Sequence, residues 1–172
     1  MSVKEHKKSA PRSVACAVLT VSDTRTADTD ESGALIRALL ERAGHRVTMS
    51  HIVPDDGERI VSLVRMMSTD AANDAIIVTG GTGLAPRDTT YEAVSQLFTR
   101  RIDGFGELFR FLSFQEIGAA AMLSRAVAGL IGTTVVFALP GSTGGVRLGL
   151  EKLILPELSH AVSLASPTRR GS

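Results

Sequence analysis

Three observations predict an α/β fold with a parallel-rich central sheet covered on both faces. Short, nearly continuous apolar runs ("VACAVLTV", "AIIV", "TTVVFAL") alternate with stretches whose apolar residues recur at helical spacing. Strands apolar at almost every position have no solvent side, the pattern of a sheet buried between two layers of helices. Polar, glycine-bearing segments follow the strands, at the carboxyl ends where such sheets bind ligands.

The elements follow in order. Ser13 to Val21 reads as a buried strand that ends in the polar loop "SDTRTADTDES". Leu35, Ile36, Leu39, Leu40 and Ala43 mark a helix, with Asp30 or Ser32 as cap and Gly44 closing it. "HRVTMSHIV" alternates as a half-exposed strand with Val47, Met49 and Val53 on one face. After "PDD", residues Ile60, Val61, Leu63, Val64 and Met67 give a second amphipathic helix. Asp74 to Val78 is a short buried strand running into glycines, and the capping-box spacing of Thr89 and Glu92 starts a helix at Thr90.

Further on, Phe105, Leu108, Phe109 and Leu112 form one helical stripe, while Phe111 and Phe114 add apolar surface off it. Most of these side chains suit a core; the excess suits a subunit contact. "AAMLSRAVAGLIG" precedes a strand in "TTVVFALPGS", and "GVRLGLEKLIL" and "PELSHAVSLA" read as two helices, with Pro156 opening the second. The organisation is one domain over residues 14–165 between short tails at 1–13 and 166–172.

Composition narrows the partners. The 172 residues are 44% hydrophobic and 22% charged, with a net charge of +1, as in an ordinary soluble globular domain. Nucleic acid is not expected: there is no Trp, one Tyr, and the basic residues cluster only at the tails (Lys4, Lys7, Lys8, Arg12, Arg169, Arg170). The single cysteine, Cys16, can form no intramolecular disulfide and reads as a core residue. No apolar run has the length of a membrane span, so no membrane association is expected and the expected compartment is the cytoplasm.

Four polar segments fall at strand ends: "SDTRT", "PDD", "TGGTGLAPRD" and "PGSTGG". The "GGTG" run could cradle an anion, because glycines let backbone N–H groups converge near a helix start. It is no Walker A loop, for no Gly-Lys-Ser/Thr follows, and Pro86 occupies the third glycine position of a dinucleotide fingerprint. Asp88 stands just before a helix start, as do Asp55 and Asp56, so each could serve a helix terminus. Alternatively, two carboxylates at neighbouring strand ends could share Mg²⁺ with substrate phosphates. His6, His45, His51 and His160 show no zinc spacing.

The motifs "LTVSDTR", "VPDD", "DAIIVTGGTGLAPRDTTYEA", "GFGELFR", "MLSRAVAG" and "FALPGS" occur in the order seen in the MoaB/MogA family of molybdenum cofactor biosynthesis proteins, whose domain type also occurs in gephyrin. The resemblance runs from about Val14 to Val162, and "SFQEIG" with "PGST" resembles the MoaB branch. It implies a three-layer α/β/α molybdopterin-binding domain. In active relatives, ATP and Mg²⁺ serve to adenylylate the terminal phosphate of molybdopterin, releasing pyrophosphate.

By motif position, the resemblance assigns Asp55 and Asp88 as the essential, metal-holding carboxylates. It assigns Thr79, Gly80, Gly81, Thr82 and Gly83 to the nucleotide- and pterin-binding loop. Ser22, Asp23, Pro140, Gly141 and Ser142 would form the remaining walls. It also implies a homotrimer or homohexamer and contact with other proteins of the same pathway. "PGST" stands where catalytically established members carry PG-x-P, so a second reading accompanies the first: a non-catalytic molybdopterin-binding or carrier protein of the same fold.

Overall fold

The computed structural model describes residues 2, 3, 7 and 10–166; Lys4, Lys8, Arg169 and Arg170, placed above in tails, lie outside the described residues. Strands β1 (Ala15–Val21), β2 (Arg46–Val53), β3 (Ala75–Thr79), β4 (Arg100–Arg101), β5 (Val127–Ile131) and β6 (Thr134–Leu139) form one sheet of order β2-β1-β3-β6-β5-β4. The first four strands in that order are parallel; β5 and β4 join antiparallel. Every residue of β1, β3 and β6 is buried.

Alternation along β1 sets the layers. Cys16 and Val18 pack on one side, and Ala17, Leu19 and Val21 on the other. The first side is covered by α1 (Glu31–Arg42), α4 (Asp103–Ile117), α5 (Thr143–Gly149) and α6 (Leu155–Ala165), through Ile36, Phe109, Val146 and Leu158. The second is covered by α2 (Gly57–Thr69) and α3 (Thr90–Ser95), through Ile60, Val64 and Val94. This is the expected three-layer sandwich.

Several expectations are corrected. Val47 packs on the opposite core from Met49 and Val53. The β1–β2 register skips Thr48, pairing Cys16 with Val47 and Ala17 with Met49. A bulge of this kind inverts the alternation on one side of it, and here the Thr48 hydroxyl bonds to the Cys16 carbonyl at 3.1 Å. "RAVAGLI" contains β5, paired with β6 through a tight turn at Gly132, whose φ of +60° suits glycine. Pro156 stands in the first turn of α6, as expected, but no loop sets that helix apart from α5. The chain runs from α5 through a π-helical segment (Leu150–Ile154) into α6. That local widening precedes a residue that has no N–H to donate.

On α4, Phe105 and Phe109 are buried as expected, whereas Leu108 is 53% exposed beside Phe111 and Phe114. Thr89 and Glu92 form no capping box: the Thr89 side chain makes no cap bond, since both groups are recruited elsewhere.

Candidate functional site

The loops that leave β1, β2, β3 and β6 converge on one cavity of about 210 Å³, whose walls include Ser22, Asp23, Asp55, Thr79, Gly80, Gly81, Asp88 and Gly141. Parallel strands force this convergence, because their carboxyl ends all lie on one edge of the sheet.

The glycine loop begins where β3 ends. Gly80 (φ +94°) and Gly81 (φ +65°) hold the left-handed backbone that favours glycine. A side chain at Gly80 would strike the Val21 carbonyl; one at Gly81 would meet the Thr90 hydroxyl and lie 2.6 Å from Asp55 Oδ2. At Gly83 it would lie 2.5 Å from Asp88 Oδ2. Close approach by a ligand is therefore not the only reason for these glycines: the protein's own groups already occupy the space. Among the described residues, no acceptor receives the N–H groups of Gly81, Thr82, Gly83 and Leu84, which leaves four consecutive donors unclaimed, that of Gly81 at the wall of this cavity.

The acidic residues separate by role. Asp56 is the cap of α2, accepting from Glu58 and Arg59 N–H at 3.0 and 3.1 Å. Asp55 does not cap that helix. Its Oδ1 accepts from the Thr89 N–H and hydroxyl, and its own N–H donates to Asp23 Oδ1 at 2.9 Å. Asp88 Oδ2 accepts from Ala85 N–H at 3.0 Å, closing the turn before α3. Asp55 Oδ2 and Asp88 Oδ1 receive no hydrogen bond from the described residues, and both carboxylates line the cavity. Such a pair of hard oxygens fits Mg²⁺, which binds one or two carboxylates beside phosphates and water.

The hydroxyls assigned to the walls are held by the fold. Ser22 Oγ accepts from Thr24 and Arg25 N–H, Thr79 donates to the Pro140 carbonyl at 2.8 Å, and Ser142 caps α5. Gly141 is fixed by Ser32, whose hydroxyl reaches its carbonyl at 2.7 Å. Asp30, buried, caps α1 through Gly33 N–H and accepts from the Thr20 hydroxyl. Cys16 stays in the core, where burial pushes its thiol up to about 12, far from a reactive thiolate.

A second cavity, of about 540 Å³, adjoins the first and shares Gly81, Asp88 and Gly141 with it. Thr82, Gly83, Pro140 and Ser142 line this second one, with Phe109, Ile117, Leu123 and Leu148 as apolar walls. Ser124 also lines it and carries a buried hydroxyl oxygen with no partner among the described residues.

Three arginines were missed by the sequence reading. Arg25 and Arg87 line the first cavity, and Arg125 grips the outside of the glycine loop. Each stands inside a quoted motif ("LTVSDTR", "PRDTT", "MLSRAVAG"), so the available signal was the lone cation within each.

Residues 17–160 match the family model described as "Probable molybdopterin binding domain". The chain belongs to the MoaB/MogA family of molybdenum cofactor biosynthesis proteins. It is 53% identical over 163 residues to the molybdenum cofactor biosynthesis protein B of Halalkalibacterium halodurans, covering 94% of this chain and 96% of that one. A crystal structure of a molybdenum cofactor biosynthesis protein B is 51% identical and superposes with a TM-score of 0.90, covering 92% of this chain and 99% of the other. The tungsten cofactor synthesizing protein MoaB of Pyrococcus furiosus is 38% identical, with a TM-score of 0.81 over 91% and 99% of the two chains. The family's work, molybdenum cofactor biosynthesis, is thus the role of this chain. No described helix is long and apolar enough to cross a membrane.

Proposed function

We propose that the protein transfers AMP from ATP to the terminal phosphate of molybdopterin in the cytoplasm. A phosphate oxygen of the pterin attacks the α-phosphorus of ATP, a new P–O bond forms, and the α–β bond breaks to release pyrophosphate. The observation that carries this reading is the meeting of two unlike cavities at Gly81, Asp88 and Gly141. Groups held in the two cavities come together at that junction.

The polar cavity, with Arg25, Arg87 and the unclaimed amide of Gly81, suits phosphates. The larger one, apolar-walled with the Ser124 hydroxyl, suits a flat heterocycle. Phosphoryl-group chemistry demands positioning and charge neutralisation rather than a nucleophilic side chain. Mg²⁺ held by Asp55 and Asp88 would supply charge neutralisation at the departing pyrophosphate.

The rival reading, a carrier that binds molybdopterin without adenylylating it, is favoured by "PGST". Incubation with ATP, Mg²⁺ and molybdopterin, followed by mass analysis, separates them. Adenylylated pterin is expected; bound but unmodified pterin would establish the carrier.

The reading includes an oligomer, a homotrimer or homohexamer. Leu108, Phe111, Phe114 and Met122 are each more than half exposed on α4 and the turn that follows, outside the walls of either cavity. Soluble monomers rarely leave so much contiguous apolar surface in water, and a second copy of the chain would cover it.

A further inference from the structure

We infer that Arg125 is a positioning residue that orients the amides of the glycine loop and, through one peptide, fixes Asp55. The inference rests on the phosphate-binding reading of that loop.

Arg125 precedes β5, and its side chain is 23% exposed. Its Nε donates to the carbonyls of Thr82 and Gly83 at 3.2 and 3.1 Å; Nη2 donates to Gly83 at 2.6 Å and Asp88 at 3.4 Å. The Glu92 carboxylate receives the other edge of the guanidinium, and the Tyr91 ring lies 4.9 Å from Cζ. A planar group with donors in fixed directions is therefore held in place and reaches three carbonyls of the loop, those of Thr82, Gly83 and Asp88.

In a trans peptide the C=O and the following N–H point in opposite directions. Holding the carbonyls of Thr82 and Gly83 on the outside turns the N–H groups of Gly83 and Leu84 away from Arg125, and these are two of the four unclaimed donors. The Asp88–Thr89 peptide displays the consequence directly. Its carbonyl meets Arg125, and its N–H meets Asp55 Oδ1 at 3.0 Å. One guanidinium thus sets both two unclaimed amides of the glycine loop and the orientation of a candidate metal-holding carboxylate, without touching the cavity itself.

The test uses Arg125→Lys, which keeps the charge and loses the fork, and Glu92→Gln, an exposed change that releases the guanidinium without threatening the fold. The readouts are melting temperature, affinity for inorganic pyrophosphate with Mg²⁺, and backbone amide exchange in the free protein. Arg125→Lys is expected to keep its melting temperature within a few degrees, to bind pyrophosphate about tenfold more weakly, and to exchange faster at Thr89. Glu92→Gln is expected to lose about two- to threefold in affinity. Full affinity in both variants would overturn the positioning role, as would affinity and melting temperature falling together. Should the parent itself fail to bind pyrophosphate, the phosphate reading falls separately. Amide exchange then decides, with unchanged exchange at Thr89 in Arg125→Lys overturning the inference and faster exchange upholding it.

Discussion

Asp55 Oδ1 accepts two bonds from Thr89, one from its backbone N–H at 3.0 Å and one from its hydroxyl at 2.7 Å. The loop after β2 is thereby tied to the start of α3, and the second oxygen of Asp55 is left facing the glycine loop. Thr89→Val keeps the shape and the backbone bond but removes the hydroxyl donor. A lost bond to a charged acceptor costs about 1.5–3 kcal/mol, so Thr89→Val should melt at a lower temperature and require more Mg²⁺ for half-maximal turnover. Metal titration of the two proteins checks this; an unchanged Mg²⁺ requirement would sever Asp55 from the metal.

Asp88→Asn should abolish adenylyl transfer while leaving the fold intact. Asn is nearly isosteric and can still accept from Ala85 N–H, so the turn survives. Loss of a metal-holding oxygen should cost about 3–4 kcal/mol at the transition state, on the order of 10²–10³ in rate. Turnover at half the parent rate under saturating Mg²⁺ and ATP would show that Asp88 serves only its turn.

Two glycines should respond in opposite ways. Gly81→Ala puts a Cβ against Thr90 and Asp55 on a left-handed backbone, so it should destabilise the protein by at least about 1–2 kcal/mol. A substitution at Gly81 therefore tests folding together with binding. Gly144 is the better steric probe: it lines the larger cavity, and a Cβ there meets nothing within 4 Å. Gly144→Leu should leave the melting temperature unchanged or slightly raised, since glycine is a poor helix former, while weakening pterin binding. Parent-like pterin affinity would remove the pterin from that cavity.

Stability should fall on mild acidification through His45. Burial lowers its pKa, and its Nδ1 accepts from Val14 N–H at 3.1 Å, a bond only unprotonated Nδ1 can take. The folded pKa lies below the unfolded value of about 6.5, so the unfolded chain binds more protons in the window just beneath it. The His45 contribution is complete above that pH and declines as pH falls through the window. Urea midpoints at pH 7.5 and 5.5 should diverge more for the parent than for His45→Gln; equal divergence would exclude His45 as the source.

The mass of the particle tests the apolar face of α4. Light scattering at micromolar protein should give an oligomer larger than a dimer, and Phe111→Lys with Phe114→Lys should reduce its mass. Both side chains are about 60% exposed, so the double variant should fold. A monomeric parent would leave that face to another partner.

The sequence by itself determined the layers. β1, β3 and β6 are apolar at nearly every position because both faces of the sheet are covered, and helical spacing in α1 and α2 picks out Ile36, Leu40, Ile60 and Val64, which are buried. It also gathered most of the candidate residues at one cavity, since every polar segment after a parallel strand must emerge on the same edge. Local signals failed where a group had a choice of partners distant in the chain. Asp55 and Asp56 are adjacent and chemically identical, yet one caps α2 and the other holds Thr89, 34 residues away. Thr89 and Glu92 have capping-box spacing, but Asp55 and Arg125 supply charged partners, and a bond to an ion outweighs a neutral cap. The bulge at Thr48 and the pairing of β5 are likewise settled by neighbouring strands rather than by their own residues. Spacing along the chain fixes which face of an element is apolar. Which polar group meets which is fixed only when the loops arrive at a common edge and the strongest available partner captures each side chain.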